Sequence, residues 1–224
     1  MKNTEKGWRE LLVDTAIDNP DSTAKTPFHL TRAKDSSLLA QKLPDSDLRT
    51  KSLAQGSRIE VCYEAQDVMK SLFELTVPIK ENDKKDIPRG AILVIDYGSS
   101  ETIPVDSLRA IKDHAIVSPF QEPGRADLSA DVDFGRFKQL AVQNGCIEAW
   151  GPITQGEWLH KLGIRERALR LATQLNDAKA QEMVFKAYKR LAGDGLKDMG
   201  KSYKVMAFTA KGSNAPVGFG GIVQ

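Results

Sequence analysis

Apolar positions along this chain follow two periods, and the alternation between them predicts an α/β protein. Helical spacing, with apolar residues three or four apart, appears at Ala65, Val68, Met69, Leu72 and Phe73. It recurs at Phe134, Phe137, Leu140 and Ala141, where Asp133 stands in an N-cap position and Gly145 closes the run. Three more stripes follow: Trp158, Leu159 and Leu162; Ala168, Leu171, Ala172 and Leu175; and Ala180, Met183, Val184, Ala187 and Leu191 ahead of Gly193. Between the helices lie strand-like runs, GWRELLVD (7–14), FHLTRA (28–33), RIEVC (58–62), RAIKDHAI (109–116), CIEAWGPI (146–153) and YKVMAFT (203–209). GFGGIVQ (218–224) is expected to pair beside the last of them.

One run does not alternate. Ala91 to Ile95 is continuously apolar, which predicts a strand covered on both faces, as in a parallel sheet. With the strand at 58–62 and the helix after it, which ends before Pro78, this reads as a βαβ unit. A right-handed crossover would place Asp96, at the carboxyl end of the second strand, on the edge where α/β folds hold ligands. Residues 19–27 are turn-rich. Residues 34–57, with Pro44 and Gly56 and no sustained period, read as a variable insertion or a long surface loop.

Composition narrows the function classes. At 224 residues the chain has room for a substantial core, and 41% hydrophobic with 28% charged residues is ordinary for a globular protein. The formal net charge of +2 is too small for a nucleic-acid footprint, and the basic residues are interleaved with acids, as in KENDKKD (80–86). Nucleic acid is therefore not an expected partner. No apolar stretch approaches the roughly 20 residues of a membrane span. Cys62 and Cys146 lie far apart without ligand spacing, so neither a disulfide framework nor a zinc site is expected. MKNTEKGWRE shows neither the apolar region of a secretory signal nor the Arg/Ser-rich look of a transit peptide.

Asp96 and Tyr97 are the best candidates for chemistry. A carboxylate ending a buried strand needs water, a hydrogen bond or a ligand. Two readings stand: a wall of a substrate or cofactor cleft, or an Asp that caps the turn while Gly98 supplies an unusual backbone angle. Asp127, Asp131 and Asp133 are acidic and close in sequence but lack the glycine and distal Glu of a calcium loop. They read as structural, Asp133 as an N-cap, and no metal is expected. His29, His114 and His160 are scattered and suggest no triad. The glycine runs at 193–195 and 218–221 read as a helix cap and a turn, so no cofactor loop is expected in this chain.

Six segments in order, GWRELLVD, RIEV, GAILVIDYG, GRADLSADVDF, GPITQGEWLHKLGI and MGKSYKVMAF, resemble the MidA-type methyltransferase family. Bacterial members tend to carry His where Asp131 stands, so ADVDF leans towards the mitochondrial branch, the protein arginine methyltransferases that act in respiratory complex I assembly. The resemblance implies the C-terminal part of a Rossmann-like class I methyltransferase sheet with extra helices. It implies S-adenosyl-L-methionine as the cofactor of the complete enzyme, symmetric dimethylarginine as its product, a complex I subunit as protein substrate and the mitochondrial matrix as location. In the family a glycine-rich cofactor segment precedes GWRE, and here only six residues do. Residues 1–224 are thus expected to be the C-terminal portion of one methyltransferase domain, without its cofactor-binding portion. Asp96, Tyr97 and Asp127 are the candidate catalytic residues; Asp96 and Asp127 would serve on the substrate side, because a carboxylate pairs well with a guanidinium, and no residue is assigned as the family's catalytic base. The alternative is a non-catalytic interaction or structural piece.

Overall fold

Ala91–Tyr97 forms the strand its composition predicts, but its neighbour is not the expected one. The computed structural model describes residues 1–15, 28–76 and 90–221. The expectations for the turn-rich stretch at 19–27 and the charged loop at 80–86 lie outside these residues. The chain divides into two units, residues 1–61 with 103–131, and residues 62–102 with 132–224.

The first unit is built from short antiparallel pairs. The strand expected over 7–14 is two strands with different partners. β1 (Lys2–Thr4) pairs with β2 (Gly7–Arg9), and β3 (Leu11–Thr15) pairs with β4 (Phe28–Arg32). Residues 34–57 hold α1 (Leu38–Ser46) and a 3-10 helix over Leu48–Ser52, so the stretch is not the long surface loop that was one of its two readings. Ser37 caps α1 by accepting from the Ala40 amide, and Ala40 and Leu43 pack with Trp8 and Ile59 in the unit's core. Two buried positions three apart are too few to stand out as a period, which is why the helix was missed.

RIEVC is extended but forms no ladder; Arg58 makes one isolated bridge to Lys2. Instead the Glu60 carboxylate organises the return of the chain, accepting from the Ser107 and Leu108 amides at 2.9 and 3.1 Å. The run at 109–116 is a hairpin. β6 (Arg109–Lys112) turns through Asp113 and His114 into β7 (Ala115–Val117), and β8 (Asp127–Ser129) pairs on its other side. Both turn residues have positive φ, 50° and 61°, the geometry that a two-residue hairpin favours and that Asp and His tolerate.

The second unit carries the larger sheet. β5 (Ala91–Tyr97) pairs antiparallel with β10 (Tyr203–Ala210), which pairs antiparallel with β9 (Ile147–Thr154). β5 and β9 therefore run parallel, with β10 inserted between them. The crossover joining them contains α3 (Phe134–Asn144), so a βαβ arrangement exists, but it is β5–α3–β9 and not 58–62 with α2 (Tyr63–Thr76) and β5. α2 and α3 cover one face: Met69, Phe73, Phe134, Phe137 and Leu140 pack on Met206 and Phe208, with Ile92 and Val94 at the margin.

α4 (Gln155–Lys161), α5 (Ile164–Thr173) and α6 (Ala178–Ala192) fall on the three predicted stripes, followed by the short α7 (Met199–Ser202). GFGGIVQ does not pair with β10 among the described residues; Val217 and Gly221 bridge each other. No helix among them is long and apolar enough to cross a membrane.

Candidate functional site

The carboxyl end of β5 is shaped by the turn that follows it. The Asp96 Oδ1 accepts from the Tyr97 amide at 2.7 Å, and the Tyr97 carbonyl accepts from the Val132 amide at 2.8 Å. Gly98 lies so close to Val132 that a Cβ there would collide with the Val132 carbonyl oxygen and sit 3.1 Å from the Phe134 ring. Val132 leads into Asp133, whose carboxylate accepts from the Arg136 amide at 2.8 Å and caps α3. The DYG turn and the start of α3 are thus one packed piece, which joins the two motifs singled out in the sequence. Asp96 forms no ion pair among the described residues. Both readings of this carboxylate keep support: one oxygen serves the turn, and the carboxylate stands at the strand end opposite Lys204 of β10.

Tyr97 has a partner that sequence reasoning missed. In the β5–β10 register it stands opposite Tyr203, and the two rings lie 4.0 Å apart at 41°. Burial, a hydrogen bond shared with Tyr97 and the charge of Asp96 push the Tyr203 phenol up to about 12, with Arg190 opposing. Only the strand register reveals this pair, because the two tyrosines are more than a hundred positions apart in sequence.

A raised phenol pKa means that the folded state holds its proton more firmly than the unfolded chain does. That stability is fully present below the ordinary tyrosine pKa and is lost as pH climbs from about 10 towards 12. In an ultraviolet titration of the four tyrosines, Tyr203→Phe should remove the most alkaline step. Retention of that step would assign it to another tyrosine.

Of the other predicted residues, Asp127 sits exposed on β8 in the first unit, opposite Ile111, whereas Asp96 and Tyr97 belong to the second. Asp131 accepts from Arg109 at 2.8 Å, a structural ion pair. Among the described residues no three His, Cys, Asp or Glu side chains are placed to hold a metal. The His160 ring bonds the Gly156 carbonyl and the Tyr188 hydroxyl, fixing α4 against α6.

The glycine runs are cap and turn, as read from the sequence. Gly193 ends α6, and the Gly195 amide donates to Asp198 at 3.1 Å, so an aspartate of the same loop takes that donor. The Phe219 and Gly221 amides both donate to the Pro216 carbonyl. A Cβ on Gly218 would lie 2.5 Å from the Trp158 Nε1, a buried nitrogen with no partner, leaving no space for a bound group between them. Neither run fits a nucleotide-like cofactor, whose cradle needs backbone donors that nothing else uses.

Two parallel strands separated by an antiparallel one form an α/β sheet, with Asp96 and Tyr97 at the carboxyl end of its edge strand. A family model described as "Putative S-adenosyl-L-methionine-dependent methyltransferase" matches residues 1–153, and the chain belongs to that family. It is 32% identical over 191 residues to the zebrafish (Danio rerio) protein named "Protein arginine methyltransferase NDUFAF7, mitochondrial", a match covering 85% of this chain and 40% of that protein. It is 38% identical over 133 residues to the Caenorhabditis elegans homolog of that protein, covering 58% of this chain and 31% of the relative. Its fold resembles a solved structure from Burkholderia thailandensis bound to S-adenosyl-homocysteine, with a TM-score of 0.67 at 21% identity, over 98% of this chain and 51% of that one. The chain thus spans well under half the length of the curated relatives it matches.

Proposed function

We propose that this chain is the C-terminal, substrate-side portion of an S-adenosyl-L-methionine-dependent protein arginine N-methyltransferase. On this reading the complete enzyme forms symmetric dimethylarginine on a subunit of respiratory complex I in the mitochondrial matrix. Support comes from the family match and from relatives named as mitochondrial protein arginine methyltransferases. The observation that carries the substrate side is the Asp96 carboxylate at the end of β5, beside the Tyr97–Tyr203 pair.

A guanidinium is planar and permanently charged, and it pairs in two-pronged fashion with carboxylates and stacks on aromatic faces. Asp96 would orient the arginine and Tyr97 would wall it. Transfer needs the nucleophilic nitrogen held in line with the donated methyl, and such positioning is the part these residues supply. Neither glycine run is placed to cradle the donor, and no step through it is assigned to this chain.

The test joins this chain to the region that the zebrafish relative carries outside the match, in one polypeptide, and assays methyl transfer to an arginine peptide. Losing a charge-assisted hydrogen bond costs about 1.5–3 kcal/mol, so Asp96→Asn should lower kcat/KM about 10- to 100-fold. Unchanged transfer by the variant removes Asp96 from the site, and absence of transfer by the parent protein rejects the arginine reading.

A second reading, a non-catalytic interaction piece, is favoured by the internally satisfied glycine turns. Calorimetry of this chain alone with S-adenosyl-L-methionine is expected to show no saturable binding on either reading. Micromolar binding would show that the donor site lies in this chain, and would reject both the division of labour and the non-catalytic reading.

A further inference from the structure

The last turn of α6 is pinned to the elements that lead into Tyr203. The Leu191 carbonyl accepts from the Gln155 side chain at 2.8 Å, which ties that turn to the first residue of α4. Two glycines allow the close approach. A Cβ on Gly156 would come within 2.6 Å of the Ala192 carbonyl oxygen, and one on Gly200 within 2.5 Å of the same atom. Gly200 belongs to α7, which runs directly into Tyr203 at the start of β10. Tyr203 in turn pairs with Tyr97 at the carboxyl end of β5.

That turn carries Arg190. A basic side chain near a helix C-terminus commonly serves the last carbonyls, but here those have other donors. The Gly193 amide donates to the Lys189 carbonyl at 2.8 Å, and Gln155 takes that of Leu191. Arg190 is exposed and makes no ion pair or hydrogen bond among the described residues. Its charge nevertheless reaches the Tyr203 phenol, where it opposes the push from burial, Tyr97 and Asp96. Lys204, opposite Asp96 in the register, donates to the Lys201 carbonyl at 2.7 Å. Around the two tyrosine rings the strand end thus presents both signs of charge, the Asp96 carboxylate and the Arg190 guanidinium.

We propose that Arg190 binds an acidic side chain of the protein substrate, close in sequence to the arginine that Asp96 orients. The inference rests on the arginine reading of Asp96 and Tyr97 and adds a sequence preference to it. Two guanidinium groups brought to one strand end repel each other. A substrate carboxylate near the target arginine replaces that repulsion with an ion pair, which a guanidinium makes in two-pronged geometry. An extended peptide advances about 3.3 Å per residue, so the acid is expected about two to four positions from the arginine.

The test titrates fluorescent arginine peptides against the joined protein, which contains the whole of this chain. One set carries a single Glu at each position in that range, on either side of the arginine; control sets carry Gln or Lys instead. At the favoured position the parent should bind the Glu peptide about three- to fivefold more tightly than the Gln peptide. Arg190→Gln should lose that preference, and changing protein and peptide together should weaken binding no more than either change alone. Arg190→Glu should invert the order and favour the Lys peptide. A purely structural role for Arg190 would weaken all peptides alike and leave the order untouched. Arg190 is exposed, so the variants should keep the parent's melting curve.

A peptide with Gln in place of its target arginine separates this proposal from the reading beneath it. If that peptide binds as well as the parent peptide, the arginine reading fails and the proposal falls with it. If binding needs the arginine but is indifferent to the acid at every position, the proposal alone is overturned. A preference for Glu that Arg190→Glu leaves unchanged overturns it too, because another cation then holds the acid. Inversion of the order by charge exchange establishes the contact.

Discussion

Gly98→Ala should lower the stability of the protein by about 2–4 kcal/mol, through overpacking against backbone that cannot retreat. The added methyl would run into the Val132 carbonyl oxygen and press on the Phe134 ring at 3.1 Å. Val132 is tied to Tyr97 through its own amide, and Phe134 is fully buried at the start of α3. The φ of +156° adds to the constraint on any side chain there. Urea unfolding of the variant measures the effect, and an unchanged midpoint would mean that the turn relaxes freely. Because the same contact sets Asp96 and Tyr97, methyl transfer by the joined protein should fall as well, even where the variant remains folded.

The second large effect is expected at Phe208. It is 0% exposed on β10, with its ring 5.1 Å from that of Phe73. Truncation to alanine removes the side chain that links the sheet to α2, at a typical cost of about 3–5 kcal/mol. Phe208→Leu keeps most of the volume and should recover much of the loss. A shift in denaturation midpoint for Phe208→Ala no larger than that for Phe208→Leu would show that the sheet and α2 pack without it.

The helices of the second unit were legible because their apolar stripes are long and their caps conventional: Asp133 and Gly145 bound α3 where the sequence placed them. Strand existence was legible too, but strand partnership was not. Ala91–Ile95 is apolar on both faces, which suggested a parallel neighbour; in fact one face is buried by α2 and α3 and the other is open at Leu93 and Ile95. Composition reports how apolar a strand is and says nothing of which strand sits beside it. The same gap hid Tyr203 from the candidate site. It also turned a single predicted strand at 109–116 into a hairpin, because Asp113–His114 is a weaker turn signal than the Asn-Gly type. Asp96 and Tyr97 were visible as chemistry-bearing residues at a strand end. What made them a pair with Tyr203 was register alone.

The position of β10 has a consequence for how the protein is made. β5 and β9 each pair with β10 alone among the described residues, yet β10 is synthesised after both of them. While residues 1–202 have left the ribosome and 203–210 have not, α2 and α3 lack the Met206–Phe208 floor on which they pack. Long-range pairings of this kind form slowly and leave apolar surface open in the meantime. The nascent second unit should therefore depend on chaperones until β10 has emerged, whereas β1 and β2, close together in sequence, can pair as soon as both have emerged.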